Sequence, residues 1–330
     1  MSLKSEEYKL SIRLMTYMHE SFIKEAMDGI MMQKINFKVE VVVGDDFSTD
    51  RTLDIIKSYQ NTKQIHIKIL QRQKGDAYWK KRQELGRLYN FVNILENCTG
   101  NYIALLDGDD YWVDPLKLQK QVDFLEANQA YGVVHTDTHV YYQNIHKLVK
   151  NINKINKRNQ IKIDNPAEDI ILGSYVVYTL TGVFKRSLLD KIDFNVFYKF
   201  KIGDLPLWLA LTQFTKFFYL SESTATYRKF EGSISNPTNK KSKLDYKISS
   251  KEVRLYFANT LNLKTSIVND ASDQYNRAIL RNKFENNESF NASKMFFSLH
   301  KKTLKDVILL LGCKSKVFNT VVKKALPNMS

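Results

Sequence analysis

Glycine, proline and cysteine are all scarce in this sequence, with 12, 5 and 2 residues among 330. The low glycine and proline contents exclude collagen-like and linker-dominated chains. Cys98 and Cys313 are too few for a disulfide framework or a four-cysteine zinc site, so a reducing compartment is the simpler assumption. The first ten residues predict no signal segment, and the longest apolar run near the other end, residues 307–311, is too short to span a bilayer. We therefore expect a soluble protein of the cytoplasm.

Charge is distributed unevenly along a chain whose net charge is +15. Residues 236–330 contain 18 basic and 7 acidic residues, a net of +11, which leaves 32 basic and 28 acidic residues, a net of +4, in 1–235. Apolar residues make up 43% and aromatic residues 12% of the chain, which excludes disorder for most of it. We predict a boundary near residue 235, and an exposed insertion at the Lys- and Asn-rich residues 147–165, which include Lys162.

Strand and helix patterns alternate through the first 140 residues, which indicates a parallel α/β sheet with right-handed crossovers. Residues 37–44 are β-branched and almost continuously apolar, as in a strand buried on both faces. The remaining predicted strands are residues 9–17, 65–70, 102–106, 133–142, 175–184, 217–220 and 225–228. The predicted helices are residues 21–32, one that follows an N-cap at Ser48 or Thr49, and residues 79–96, 115–128, 205–215, 251–261, 293–300 and 303–326.

Acidic residues follow the predicted strands at the positions where open α/β sheets bind ligands. Asp45 and Asp46 end one strand, and Asp107, Asp109 and Asp110 end another. Neighbouring carboxylates repel one another, and Mg²⁺ or Mn²⁺ can compensate them while also binding the phosphates of a substrate. The alternative for each group is a helix cap. One aspartate would suffice for a cap after residues 107–110, whereas Asp45 and Asp46 fit a cap as well as a ligand site.

Four segments in a fixed order resemble the inverting GT-A-fold glycosyltransferases of family 2. They are Thr16-Tyr17, residues 44–50 (GDDFSTD), residues 100–112 (GNYIALLDGDDYW) and residues 203–208 (GDLPLW). The resemblance covers roughly residues 10–235 and is greatest to the bacterial branch with a Gly-Asp-Asp-Tyr-Trp signature. Members of that branch generally build surface polysaccharides such as capsule or O-antigen.

The resemblance implies a fold and a division of the chain. The fold would be α/β of the GT-A type, a Rossmann-like mixed, mostly parallel sheet flanked by helices, with a helical basic C-terminal extension. The catalytic domain would be residues 1–235, with a nucleotide-sugar half of about 1–140 and an acceptor half of about 165–235. Residues 236–330 would form the helical C-terminal region.

The resemblance also implies roles for individual residues. Thr16, Tyr17 and Asp46 would bind the nucleoside of a nucleotide-sugar donor, with UDP-sugars favoured. The DXD-type motif would place Asp107 on the ribose and on Mn²⁺ or Mg²⁺, with Asp109 as the metal ligand and Asp110 adjacent. Asp204 would be the general base that activates an acceptor hydroxyl, so that the anomeric configuration inverts. The other implied contacts are Arg87 to the donor, Arg228 and Lys229 to the diphosphate, and Trp112, Trp208 and Thr181 to the acceptor.

Several interpretations stay open at this stage. Relatives commonly have a histidine where this chain has Phe230, so the third metal ligand is not identified. Asp204 alone would indicate an N-cap, and the two tryptophans alone would indicate core packing. Competing functions are nucleotidyl transfer and, because of the basic tail, nucleic-acid binding, although the aromatic residues of the tail are spaced for helix packing. The lysine-rich helical tail would either bind an anionic membrane surface or form a cap over the catalytic domain.

Overall fold

The computed structural model describes residues 8–159 and 165–325, which form two compact units. Of these residues, the first unit contains 8–159, 165–166, Ser174–Lys199 and Leu207–Phe230. The second contains Ala167–Gly173, Phe200–Pro206 and residues 231–325. Each unit has a hydrophobic core of its own. The domain boundary near residue 235 stays a prediction, because the second unit also includes two short segments that precede it.

The first unit is built on a mixed sheet. Its strands are β1 Leu10–Thr16, β2 Val39–Asp45, β3 Ile65–Ile69, β4 Tyr102–Asp107, β5 Tyr111–Trp112, β6 Tyr131–Tyr142, β7 Lys147–Val149, β8 Val183–Lys185 and β9 Lys216–Lys229. They form a sheet in the order β3-β2-β1-β4-β8-β6-β9-β5, and β7 pairs with β6. Strands β3, β2, β1 and β4 are parallel, as is the pair β6 and β9, whereas β8, β5 and β7 pair antiparallel. The predicted mostly parallel sheet is therefore confirmed.

Helices connect these strands and flank the sheet. They are α1 Ile23–Met31, α2 Thr52–Lys57, α3 Ala77–Leu85, α4 Leu88–Glu96, α5 Lys117–Ala127 and α6 Ile152–Ile155. The short helix α7, Ala167–Leu172, belongs to the second unit, and α8, Asp204–Leu211, begins with residues of the second unit and continues with residues of the first.

The central strands are buried on both faces, as the apolar sequence of residues 37–44 predicts. All seven residues of β2 are buried, as are six of the seven in β1. The polar exceptions have partners: the Ser11 hydroxyl donates to Glu40 Oε1 at 2.6 Å, and the backbone N–H and hydroxyl of Thr99 donate to the same oxygen at 2.6 and 2.8 Å. Buried polar groups without such partners would destabilise the core.

Three predicted elements differ in the structure. The helix predicted over 79–96 is two helices, because the chain turns at Gly86, whose φ of 77° is a left-handed value that favours glycine. The strand predicted over 175–184 is only β8, preceded by a 3₁₀ turn at Thr179–Thr181. The two short strands predicted over 217–228 are one long strand, β9, whose pairing with β6 is interrupted by bulges near Asp137.

The segment predicted as an exposed insertion contains β7 and α6. Ile152 and Asn153 are buried at the start of α6, where the Asn153 and Lys154 backbone N–H groups donate to the buried Asp137 carboxylate at 2.9 and 3.2 Å. Asp137 thus satisfies the free N–H groups of this short helix. The prediction of a wholly exposed insertion is wrong over these residues, while Lys162 lies outside the described ones.

The second unit is helical, as the sequence pattern of residues 236–330 predicts. Its further helices are α9 Lys240–Thr260, α10 Thr265–Asn286, α11 Ala292–Phe297, α12 Leu304–Lys314 and α13 Lys316–Ala325. Sequence analysis missed α10 and predicted α12 and α13 as one helix over 303–326, of which Leu326 lies outside the described residues. Leu280, Phe284 and Leu309 are among the residues of its core. Within residues 8–159 and 165–325, no helix is both long enough and apolar enough to cross a bilayer.

A buried lysine lies beside the tryptophan that follows the acidic motif. The Trp112 side chain is buried, and its Nε1 donates to Leu180 O at 2.9 Å. Lys117, also fully buried, lies with its Nζ 4.6 Å from the centre of the Trp112 ring and donates to Gln121 Oε1 at 2.6 Å. Burial lowers the pKa of Lys117 to about 7, although the charge of Asp114 raises it in part.

We expect Lys117→Met to change the pH dependence of stability. In the folded protein Lys117 loses its proton near pH 7, whereas in the unfolded chain a lysine does so at about 10.4. The wild-type free energy of unfolding therefore rises between these values. The variant lacks this rise, so its free energy of unfolding relative to the wild type should fall by about 2 kcal/mol between pH 7 and pH 9, measured by urea denaturation.

The control for this experiment is Lys120→Met. Lys120 forms ion pairs with Asp114 and Glu222, and its hydrogen bond to Glu222 raises its pKa. Its stabilising contribution is therefore constant between pH 7 and pH 9. A difference between Lys117→Met and the wild type that does not change over this range would contradict the prediction.

Candidate active site

The carboxyl ends of β1, β2 and β4 meet at one edge of the sheet. In the parallel register Thr16 pairs with Asp45, and Met15 pairs with Asp107. The backbone N–H of Asp46 donates to Thr16 O, and that of Gly108 donates to Met15 O, each at 2.9 Å. The structure therefore brings together the aspartates that the sequence places at separate strand ends.

Asp45 organises the loop that follows β2. It is buried, and its Oδ1 accepts from the hydroxyls of Thr16 and Ser48 at 2.8 and 2.5 Å. Its Oδ2 accepts from the Ser48 backbone N–H at 2.8 Å. Ser48 and Thr49 do not cap α2, because that helix begins only at Thr52. Thr16, predicted to bind the nucleoside, has its hydroxyl directed to Asp45.

Asp46 is held by side chains of α3. The guanidinium of Arg82 donates from Nε to both carboxylate oxygens at 2.9 Å and from Nη2 to Oδ2 at 2.7 Å. The Tyr78 hydroxyl donates to Oδ1 at 3.2 Å. Arg72 stacks on the Tyr78 ring at 3.8 Å and donates to Asn90 and Asn93 of α4. Sequence analysis assigned none of Arg82, Tyr78 and Arg72 to this carboxylate.

Asp107 forms an ion pair with an arginine inside the sheet. Arg13 is fully buried in β1, and its Nη1 donates to Asp107 Oδ1 at 2.8 Å. The guanidinium carbon also lies 4.8 Å from the centre of the Phe91 ring. Sequence analysis did not identify Arg13, although a single arginine within an apolar strand is a signal, because such a charge needs a buried partner.

Asp110 is buried and Asp109 is half-buried, and the two carboxyls lie close to each other. Burial raises the pKa of Asp109, and the charge of Asp107 raises it further, while His19 and Arg228 act in the opposite direction. Burial also raises the pKa of Asp110 well above its usual range, and the charge of Asp109 adds to this effect. Asp110 Oδ1 accepts from the Arg228 backbone N–H at 2.8 Å. Such a pair gains stability from a bound cation.

Arg228 stabilises the acidic loop, residues 107–110. Its buried side chain donates to Asp109 O at 3.0 Å, to Gln143 Oε1 at 2.5 Å and to Glu25 Oε1 at 2.8 Å. Three aromatic rings surround the guanidinium at 4.9 to 5.6 Å, those of Phe22, Tyr111 and Tyr141. These contacts favour a structural role for Arg228. Contact of Arg228 or the exposed Lys229 with a diphosphate stays a prediction.

The acidic loop has donors that suit a divalent cation, although no cluster of three or more His, Cys, Asp or Glu residues for a metal is present among residues 8–159 and 165–325. Phe230 occupies the position of the expected histidine and packs on Phe22 at 4.8 Å. His19 Nδ1 is buried and has no hydrogen-bond partner within the described structure. A Cβ atom on Gly108 would lie 2.7 Å from this nitrogen, so the imidazole lies against the loop that carries Asp109. The carboxylate suits Mn²⁺ or Mg²⁺, and the imidazole nitrogen is a donor that Mn²⁺ accepts more readily than Mg²⁺.

The remaining predicted residues fall into two groups. Tyr17 is 57% exposed beside Thr16 and is free to contact a ligand, and Arg87 immediately precedes α4. Trp112, Trp208 and Thr181 are buried, which favours core packing over direct contact with an acceptor. Asp204 is the first residue of α8 and belongs to the second unit, where its Oδ1 accepts from the Leu205 N–H at 2.8 Å. Its role as the base stays a prediction.

A sequence profile described as glycosyl transferase family 2 matches residues 11–192, more than half of the chain. The chain belongs to glycosyl transferase family 2. This membership favours sugar transfer over the competing nucleotidyl-transfer and nucleic-acid-binding interpretations.

Three known proteins are similar in sequence to parts of this chain. The putative teichuronic acid biosynthesis glycosyltransferase TuaG of Bacillus subtilis is 27% identical over 253 residues, which cover 75% of this chain and 90% of TuaG. An uncharacterized protein of Mycobacterium bovis is 38% identical over 135 residues, 41% of this chain and 36% of that protein. The putative glycosyltransferase EpsE of B. subtilis is 35% identical over 133 residues, 40% of this chain and 44% of EpsE. The chain thus spans less than half the length of the last two relatives.

Solved structures share the fold. Residues 1–349 of Staphylococcus aureus TarS, in complex with UDP-GlcNAc, superpose with a TM-score of 0.56 at 18% identity, covering 92% of this chain and 79% of that one. The mannosyltransferase PcManGT of Pyrobaculum calidifontis, with GDP-Man and Mn²⁺, gives a TM-score of 0.51 at 15% identity and covers 97% of this chain and 84% of that one. These similarities confirm the predicted GT-A fold.

Proposed function

We propose that this chain is an inverting glycosyltransferase that transfers a sugar from a nucleoside diphosphate sugar, with a UDP-sugar favoured, to a hydroxyl of a surface glycan or its lipid-linked precursor. The observation that carries the proposal is the convergence of Asp46, Asp107 and Asp109 at adjacent strand ends, where a nucleoside, a ribose and a metal-bound diphosphate can lie in sequence. Family membership and the relatives TuaG and TarS, the latter named as a poly(ribitol-phosphate) β-N-acetylglucosaminyltransferase, support a cell-wall or surface polysaccharide.

The donor would be bound from the nucleoside end. The exposed Tyr17 ring offers a face to the base, and Asp46 accepts a ring N–H such as that of uracil. Asp107, held by Arg13, faces the ribose as an acceptor for a hydroxyl. Asp109 would hold the divalent cation with His19 Nδ1 in place of the missing histidine, and diphosphate oxygens would complete the coordination. The cation would supply neutralisation of the charge on the leaving diphosphate.

Asp204 would act as the general base. Its carboxylate takes the proton of the acceptor hydroxyl while that oxygen forms a bond to the anomeric carbon. The bond from that carbon to the diphosphate oxygen breaks on the opposite face, and the nucleoside diphosphate leaves with the electron pair. Attack from the opposite face inverts the configuration. The Leu205 N–H, which donates to Asp204 Oδ1, orients this carboxylate.

We expect UDP to bind this protein in a metal-dependent way and more tightly than CDP, ADP or GDP, as measured by calorimetry with Mn²⁺ or Mg²⁺. Asp109→Asn and His19→Ala should each weaken Mn²⁺-dependent UDP binding by on the order of tenfold or more, because each removes a proposed ligand. Direct Mn²⁺ binding, followed by electron paramagnetic resonance, should weaken in parallel.

The control is Asp123→Asn, an exposed aspartate of α5, which should bind UDP and Mn²⁺ as the wild type does. Failure of every nucleoside diphosphate to bind would refute the proposed function. Unchanged Mn²⁺ affinity in His19→Ala would remove only this residue from the metal site.

We expect Asp204→Asn to separate binding from chemistry. The amide cannot accept the hydroxyl proton, so transfer should fall by about 10²–10⁴-fold, while the dissociation constant for UDP stays within about twofold of the wild type. Transfer is measured as UDP release in the presence of acceptor, and Asp245→Asn, in α9 of the same unit, is the control. If Asp204→Asn weakened UDP binding instead, the residue would belong to the donor site.

We propose that the C-terminal helices contact an anionic membrane surface on the cytoplasmic side, where a lipid-linked acceptor would be reached. The supporting feature is an exposed apolar stripe along α12 and α13, formed by Leu304, Val307, Leu311, Val317 and Val321. Leu304 and Val317 are 76% and 78% exposed. Exposed lysines flank it, namely Lys301, Lys305, Lys314, Lys316 and Lys324. Apolar side chains rimmed by lysines suit the headgroup region of an anionic bilayer.

We expect the full chain to sediment with vesicles that contain phosphatidylglycerol but not with vesicles of phosphatidylcholine alone. The double substitution Val317→Asp and Val321→Asp should abolish sedimentation, because it adds two negative charges to exposed positions of the stripe. Ile145→Asp, at an exposed apolar position of the first unit, is the control. Equal sedimentation of both variants would exclude the stripe as the membrane contact.

A further inference from the structure

Helix α3 contacts the first unit through half-buried side chains alone. None of the residues Ala77–Leu85 is buried. The helix lies between Gly75 and Gly86, whose φ values of 92° and 77° are left-handed, and a Cβ atom on either would meet nothing within 4 Å. These glycines are therefore required by backbone conformation and not by crowding. The Asp76 carboxylate caps the helix by accepting from the Trp79 N–H at 2.6 Å, so the helix is stabilised locally.

Polar contacts to Asp46 fasten this exposed helix to the strand ends. The ion pair of Arg82 with Asp46 is mostly shielded from water, since the two side chains are 23% and 12% exposed. Tyr78 reaches the same carboxylate and also packs near Phe47 and Tyr89, with ring centres 5.9 and 5.3 Å away. Two residues of one helix turn thus converge on a single acceptor.

Donors of α3 engage both carboxylate oxygens of Asp46. An ionised carboxylate offers about four lone-pair sites, two on each oxygen. Oδ1 accepts from the Tyr78 hydroxyl, Oδ2 accepts from Arg82 Nη2, and the single Arg82 Nε–H is shared between the two oxygens. The ring N–H of a base would have to share these oxygens with the guanidinium of Arg82. A nucleoside and Arg82 therefore compete for the same carboxylate.

We propose that α3 is a latch over the nucleoside site, in which Arg82 occupies Asp46 in the free protein and is displaced when the base of the donor binds. The inference rests on the proposed function, because it takes Asp46 as the acceptor for the base. Displacement frees α3 to move about Gly75 and Gly86, while the capped helix itself stays folded. Arg82 is then a specificity residue, since only a base whose N–H donates to a carboxylate can release the latch.

The test compares Arg82→Gln with Lys81→Gln, which removes one positive charge from the adjacent, exposed position. UDP affinity is measured by calorimetry, and exchange of the amides of residues 74–86 is followed by hydrogen–deuterium exchange with and without UDP. In the wild type and in Lys81→Gln, UDP should accelerate exchange at the ends of α3, near Gly75 and Gly86. In Arg82→Gln, exchange there should be fast without UDP, and UDP should bind about three- to fivefold more tightly, the scale of one partly shielded ion pair.

Weaker UDP binding by Arg82→Gln, or slower exchange in α3 when UDP binds to the wild type, would overturn the latch, because Arg82 would then hold the base together with Asp46. Those results leave the proposed function intact. If neither protein binds any nucleoside diphosphate, the proposed function fails. In that case the latch, which rests on that function, is overturned with it.

Discussion

Repulsion among aspartates at one edge of the sheet is the constraint on which this structure depends. Asp45, Asp46, Asp107 and Asp110 each have a compensating donor within the chain: the hydroxyls of Thr16 and Ser48, the guanidinium of Arg82, the guanidinium of Arg13 and the Arg228 backbone N–H. Asp109 differs, because within the described residues no other residue donates a hydrogen bond to its carboxylate. The charge of Arg228 offsets part of the charge of Asp109, and the proposed divalent cation would offset the rest.

This pattern of compensation also separates the acidic residues by role. Asp45, which unlike Asp46 was not assigned to the donor, is buried and fixes the loop after β2. Arg228, although a cation next to the acidic loop, is already bonded to three partners and enclosed by rings. Asp45 and Arg228 are therefore occupied within the chain, and fewer charged side chains face a ligand than the sequence places at this edge. The excess positive charge of the chain lies mainly in residues 236–330 and takes no part in this balance.

Sequence analysis predicted the sheet and the strand-end acids because both follow from local patterns. Continuous β-branched runs define the central strands, and the acids follow them directly. The predictions failed where the outcome depends on one backbone conformation or on distant pairing. Gly86 splits a helix whose side-chain pattern is continuous, and β9 is a single strand because β6 supplies its partner along most of its length. The partners Arg13 and Arg82 were not assigned to Asp107 and Asp46, because those pairs join residues 94 and 36 positions apart.

The pairing of β5 with β9 attaches the acidic loop to the sheet, in contrast to helix α3, which bonds to Asp46. Tyr111 pairs with Thr226 and Trp112 with Ala225, so the acidic loop before β5 is tied to a strand that also pairs with β6. The Arg228 N–H, from the same strand, holds Asp110. The residues around Asp110 are thus fixed by the sheet, whereas Asp46 is bonded to a helix that has no buried residue and lies between two glycines. On the proposed function, a donor of a different size would be accommodated by a shift of that helix, without any change in the strands that hold the acidic loop.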